Sequence, residues 1–235
     1  MIPIRDTAPR YRFPFVNIGL ILVNVLVFFH QMTLPPEQLY QFIYRYGSVP
    51  VNLTASLFGL FDPALPSASF LEAALPLFTA NFLHGGWLHL IGNMLYLWIF
   101  GDNIEGMLGH LKYLVLYLLM GAASISFHIF SNPLSSTPLV GASGAIAGVL
   151  GAYFILYPRS RILTLVPLGC FFTFVHLPAM LFLGLWFLLQ LFNVSLQGSA
   201  AGVQAVAWWA HIGGFIVGLT VGIITKLRLQ GRYRD

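Results

Sequence analysis

The chain has 235 residues, 58% of them hydrophobic and only 8% charged, with a mean hydropathy of +0.82. Soluble domains carry about a quarter charged residues, so a soluble globular surface is excluded; abundant apolar residues with few charges exclude intrinsic disorder. What remains is a polytopic membrane protein whose exterior is solvated by lipid. The net charge of +4 and the pI near 9.4 come from short loops and tails, so they report orientation and no nucleic-acid-binding face. A single cysteine, Cys170, excludes a disulfide framework and a thiolate zinc site, and no metal ligand set is expected.

Apolar runs of about 20 residues can cross a bilayer as helices. A basic head, residues 1–12 with Arg5, Arg10 and Arg12, precedes the first predicted span, Phe13 to about Met32. No small-residue cleavage site stands before Pro35 and Pro36, so this span reads as an uncleaved signal anchor. Residues 33–85 form a long first loop, expected to carry short helices of its own. Its Tyr40, Phe42, Tyr44 and Tyr46 suit the headgroup zone. The second span runs from Gly86 to a polar break at Gly101-Asp102-Asn103, the third from Leu111 to Phe130, and the fourth from Val140 to Tyr157-Pro158. Residues 162–176, broken by Pro167 and Gly169, predict an extended or re-entrant piece. The fifth span covers Leu177–Val194, the sixth Val206–Ile224, and a basic tail occupies 226–235. The expected fold class is an all-α membrane protein, a six-helix bundle forming one domain over residues 1–235.

Six spans put both tails and the loops at 101–112 and 158–161 on one face, which then holds ten of the eleven Lys and Arg residues. Only Arg45 falls on the other side. The positive-inside rule makes both termini cytoplasmic, in a multi-pass protein of the cell (inner or plasma) membrane.

Polar groups inside lipid are costly and are functional candidates by default. His89 and Asn93 lie four residues apart on one face of span two, Ser143 lies near the start of span four, and His211 near the start of span six. These three spans all run inward. His89 and Ser143 are each about 3 residues into their spans and His211 about 5, which at 1.5 Å per residue places them in one layer near the outer face. Small residues indicate which helices touch. Gly141, Gly144, Gly148 and Gly151 in span four, and Gly214, Gly218 and Gly222 in span six, form ridges that let backbones approach. Packing of the two ridges would bring Ser143 against His211, as a nucleophile and its general base require. Taken singly, each feature has a plain structural explanation: a serine bonded to its own helix, a histidine at the interface, an asparagine joining helices. On the residues alone, a hydrolytic site and a channel or transporter both stay open.

The stretches His84-Gly85-Gly86-Trp87-Leu88-His89-Leu90-Ile91-Gly92-Asn93, Gly141-Ala142-Ser143-Gly144 and Ala210-His211-Ile212-Gly213-Gly214 with Gly218 occur in that order on spans two, four and six. In this the chain resembles the rhomboid family of intramembrane serine proteases, over roughly residues 14–225. The resemblance implies Ser143 as nucleophile and His211 as base. It implies an oxyanion hole from His89, Asn93 and the Ser143 backbone N–H, in a water-filled cavity open to the outside. It also implies transmembrane proteins as substrates and the lipid bilayer as surroundings; oligomeric state is left open and no cofactor is expected.

There are departures. Some bacterial members carry a Tyr four residues after the nucleophile that stacks on the catalytic His; here Ala147 stands there, so something else must orient the ring. The first-loop Trp-Arg pair of some members is replaced by Asn81 and Phe82. With no Asp or Glu at the right depth, a dyad is expected. The flexible stretch Gln197–Gly202 suits a lid, and Phe182, Trp186 and Phe187 suit a gate in span five. The rival reading is a proteolytically inactive relative that binds transmembrane helices as an adaptor; it would usually have lost Ser or His.

Overall fold

A computed structural model of the chain describes residues 1–59, 70–169, 171–197 and 207–231. It is mostly helical. In chain order the elements are strand β1 (Ile2–Asp6), α1 (Phe15–Thr33), α2 (Pro36–Tyr46), α3 (Pro50–Gly59), α4 (Phe70–Ala74), α5 (Pro76–Thr79), a 3₁₀ turn (Ala80–Phe82), α6 (Trp87–Tyr96), a π segment (Leu97–Gly101) and α7 (Asp102–Leu108). There follow α8 (His110–Ser131), α9 (Ser143–Leu156), β2 (Arg161–Leu168), β3 (Phe171–Pro178), α10 (Ala179–Gln197) and α11 (Trp208–Gly231). Among the described residues, α1, α8 and α11 are long and apolar enough to cross a membrane, while Ser143–Leu156 and Ala179–Ser195 are apolar but shorter.

The centre of the bundle is α9. Every residue from Gly144 to Tyr153 is buried, as expected of a helix that is apolar all round. It packs against α8 and α11, and with α11 the contact is backbone to backbone. A Cβ at Gly214 would overlap the carbonyl oxygen of Gly144, and one at Gly218 that of Gly148. Gly151 and Gly222 continue the seam, against Phe215 and Ala152 respectively. On its α8 side, a Cβ at Gly148 would overlap Met120.

Two predicted boundaries are corrected. The expected break at Gly101-Asp102-Asn103 is no break: α6, the π segment and α7 form one continuous helical path to Gly109, whose φ of +82° ends it. The polar residues taken for a loop are buried, with Asp102, Asn103 and Glu105 at most 3% exposed. They serve the N-terminal segment. Glu105 accepts the N–H groups of Val16 (3.0 Å) and Asn17 (2.7 Å), two of the first-turn donors that α1 leaves unpaired. Asn17 in turn donates to the Leu97 carbonyl at 2.9 Å and accepts from the Tyr113 hydroxyl at 2.7 Å. Insertion of this side chain at Leu97 accounts for the wider π turn there. The second correction concerns span four, whose helix begins at Ser143 and not at Val140. Before it Leu139 is held in an isolated bridge, pairing with Ser48 in both directions (2.8 and 3.0 Å), and Gly141 N–H donates to the Ala80 carbonyl at 2.9 Å, while Ala142 already has helical dihedrals.

The piece at 162–176 is extended. With β1 it makes a three-stranded antiparallel sheet of order β1-β2-β3, pairing Leu163 with His176 and Ile2 with Leu165. The basic head is therefore structured. Its strand is tied down by Thr7 N–H to the Arg161 carbonyl (3.0 Å), and Tyr153 donates its hydroxyl to Asp6. The first loop carries α2 to α5, as its length leads one to expect.

Candidate active site

Ser143 is the first residue of α9, and its side chain is partly buried. His211 lies in the first turn of α11, 9% exposed. The glycine seam just described brings the two helix ends together, and Ser143 Oγ lies 2.8 Å from His211 Nε2. That is ordinary hydrogen-bond length for a hydroxyl and a ring nitrogen. Ala147 is also buried in the seam, and among the described residues no tyrosine ring pairs with the imidazole. The ring is flanked instead by Trp186 of α10, with centroids 6.0 Å apart, and by Trp208 edge-on at 5.9 Å.

His89 and Asn93 project from α6 toward the segment that enters α9. A methyl group at Gly141 would sit 2.6 Å from His89 Nε2 and 3.6 Å from Asn93 Nδ2. Gly141 also holds a φ of +122°, a conformation that side-chain-bearing residues rarely adopt. Glycine is thus required there twice over, once for the backbone and once to admit the two donors. The Gly85 N–H donates to His89 Nδ1 at 3.4 Å, so the proton of a neutral His89 is on Nε2, the nitrogen that faces Gly141. With the free N–H groups at the start of α9, these side chains surround a place suited to a developing negative charge.

Two side chains at this site escaped the sequence reading. One is His84, which opens the His84–Asn93 stretch but is given no role there. His84 is 2% exposed, and its Nε2 accepts from Asn93 Nδ2 at 2.9 Å. Its backbone is clamped by Gln31, which accepts from His84 N–H (3.0 Å) and donates to its carbonyl (3.1 Å). The other is Gln190 of α10, 5% exposed, whose Oε1 lies 2.9 Å from His211 Nδ1. The signal was present: Gln190 stands in the apolar run Leu188-Leu189-Gln190-Leu191-Phe192, where a polar residue is costly.

Of the expected gate residues, Phe182 is 2% exposed and packs toward Tyr96 and Phe100 in the core. Trp186 and Phe187 pack on Phe215, the latter stacked at 4.5 Å. The expected lid lies, apart from Gln197, outside the described residues, as does Cys170.

Apolar helices with a hydroxyl and an imidazole paired between two of them define a class, the helical membrane proteins with a polar pair between helix ends. Residues 72–228, more than half of the chain, match the Rhomboid domain. The chain belongs to the rhomboid family. It is 35% identical over 147 residues to the rhomboid protease GlpG of Haemophilus influenzae, a match covering 62% of this chain and 67% of that protein. Identity to the rhomboid protease GluP of Bacillus subtilis is 33% over 147 residues, 63% of this chain and 26% of that one. For the mitochondrial rhomboid protein 1 of Saccharomyces cerevisiae it is 31% over 162 residues, 65% and 42%. The matches thus span less than half the length of the Bacillus and yeast proteins.

Proposed function

We propose that the chain is an intramembrane serine endopeptidase that cuts transmembrane segments of other membrane proteins. The observation that carries this reading is the 2.8 Å contact between the partly buried Ser143 Oγ and Nε2 of the buried His211. An inactive adaptor would have no need of such a pair.

The mechanism follows from the groups present. Neutral His211 takes the Ser143 proton on Nε2 as Oγ bonds to the substrate carbonyl carbon. The oxyanion is met by His89 Nε2–H, Asn93 Nδ2–H and the Ser143 backbone N–H, with the N-terminal end of α9 adding favourable charge. Collapse breaks the C–N bond, the leaving amine takes the proton from His211, and an acyl-enzyme ester remains. Water then attacks that ester, giving one proton to His211, which returns it to Ser143 Oγ as the acid departs.

The proposed topology is one domain with six spans: α1, α6 with its π segment as far as Gly101, α8, α9, α10 and α11. Both termini are then cytoplasmic, by the charge distribution, and the membrane is the cell membrane. At 1.5 Å per residue the 14 residues of α9 reach about 21 Å, less than the roughly 30 Å hydrocarbon core. Its first residue, Ser143, is thereby sunk below the outer surface and opens to the extracytoplasmic side. A substrate helix must unwind to present a peptide bond there, which favours segments with Gly, Pro or other small residues.

The test is covalent labelling by a fluorophosphonate together with cleavage of a reconstituted transmembrane substrate. Both are expected in the wild type, and both are expected to vanish in Ser143→Ala and His211→Ala. Cleavage retained by purified Ser143→Ala would refute the proposal.

A further inference from the structure

We infer that Gln190 is a positioning residue that holds His211 in the one tautomer able to accept a proton from Ser143. The inference rests on the proposed dyad and deepens it. It follows from counting donors and acceptors. The backbone carbonyl of Trp186 can only accept, and the Gln190 atom donating to it at 3.0 Å is Nε2. The opposite end of the planar amide, Oε1, therefore faces His211 Nδ1 at 2.9 Å. An amide oxygen has no proton to give, so Nδ1 bears the N–H. A neutral imidazole has one N–H, so Nε2 keeps its lone pair, directed at Ser143 Oγ 2.8 Å away. In the other tautomer two lone pairs would oppose each other at Gln190, and an N–H without basicity would face the serine.

Burial makes the preference count, because Gln190 and His211 are 5% and 9% exposed and water has little access to replace the bond. The flanking rings of Trp186 and Trp208 limit the tilt of the imidazole, but they treat its two nitrogens alike. Among the described residues it is Gln190 that bonds to Nδ1 and so tells them apart. When the Ser143 proton reaches Nε2 the ring becomes a cation, and its bond to Gln190 becomes charge-assisted and stronger. The contribution therefore grows in the transition state and belongs to kcat, not KM. Gln190 also belongs to neither helix of the dyad. It is carried by α10, which seats on α11 through the Phe187–Phe215 stack at 4.5 Å, so the base is aligned only while α10 is seated.

The experiment uses the full-length protein in detergent and in proteoliposomes, with a transmembrane substrate and a fluorophosphonate probe. Gln190→Leu is expected to lower kcat and the labelling rate by about 10–100-fold, with KM unchanged. Gln190→Glu restores an acceptor for Nδ1–H and is expected to recover most of the loss. It should also move the acid limb of the rate profile to higher pH, because a carboxylate beside the ring favours the cation. The other titratable groups acting on His211 are the imidazoles of His89 from α6 and His128 from α8, which the substitution leaves in place. A Gln190→Leu enzyme with wild-type kcat and labelling rate overturns the inference. So does equal impairment of both variants with an unmoved acid limb, the pattern of a packing defect. Should the Leu variant fail to fold, the acid limb of the Glu variant decides alone. A wild type that neither labels nor cleaves overturns the dyad and this inference with it, whereas a labelled wild type and an unlabelled Ser143→Ala isolate the question of Gln190.

Discussion

Gly218 of α11 lies against the carbonyl oxygen of Gly148 in α9, with no room between them for even a methyl group. One turn earlier Gly214 meets the carbonyl of Gly144 in the same way. Lipid offers apolar helices no hydrophobic reason to associate, so close backbone packing supplies the attraction. This seam also fixes the separation of Ser143, next to Gly144, and His211, three residues before Gly214.

Gly218→Ala is accordingly expected to destabilise the fold by about 1–3 kcal/mol, the usual cost of overpacking, and to slow fluorophosphonate labelling by parting the two residues. The backbone atoms that a Cβ would strike cannot swing aside as the end of a side chain can. Gly19 is the control, because a Cβ there meets nothing within 4 Å, and Gly19→Ala should be neutral or slightly stabilising. Thermal unfolding in detergent reads both. Equal melting temperatures for the two variants would show that the seam tolerates a methyl group.

Asn93→Ala, which removes a proposed oxyanion donor, is expected to lower kcat by about 10²–10³-fold, the usual loss for one such donor. His84 reaches the site through its 2.9 Å bond to Asn93 and through its ring edge against His89 at 5.1 Å, so His84→Ala should cost less, and its loss in the Asn93→Ala background should be smaller than in the wild type. The clamp from Gln31 to the His84 backbone stays in place in that variant, which limits collateral unfolding. Full additivity in steady-state kinetics would separate the two residues.

The histidine and the glycine ridges were legible in the sequence because each is a departure from an apolar background at helical spacing. The ends of elements were less so. Asp102, Asn103 and Glu105 read as a loop, since nothing local reveals that Val16 and Asn17 of α1, 89 and 88 residues before Glu105, supply N–H groups to be capped. The sheet was half visible for the same reason: residues 162–176 looked extended, but their partner strand is Ile2–Asp6 at the far end of the sequence. Gln190 was overlooked because no spacing rule links it to His211, 21 residues on. Only the packing of α10 on α11 joins them.

Phe187→Ala should loosen α10 by removing its stack on Phe215, and its effect on kcat should run through Gln190. Combined with Gln190→Leu, the loss is therefore expected to be smaller than the product of the two single losses. A double-mutant cycle on the labelling rate measures the coupling. Independent effects would mean that the position of α10 and the alignment of His211 are unrelated.

Asp102, in α7 beyond the proposed second span, gives the fold a pH dependence. Burial pushes its carboxyl up to about 6, although Arg10 Nε lies 2.6 Å away, and nearby Asp6 adds to the rise. Asp6 is itself raised, chiefly by burial. A folded-state value above the ordinary one means that the folded protein holds the proton more tightly than the unfolded chain does. The stabilisation is then complete below about 4 and is lost as pH rises through about 6. Asp102→Asn carries a neutral amide at every pH and escapes that loss. Its melting temperature relative to the wild type should therefore increase between pH 5 and pH 7.5, when followed in detergent at constant ionic strength. A difference that stayed flat or fell over this interval would mean that the Arg10 pair, and not burial, governs the Asp102 carboxyl.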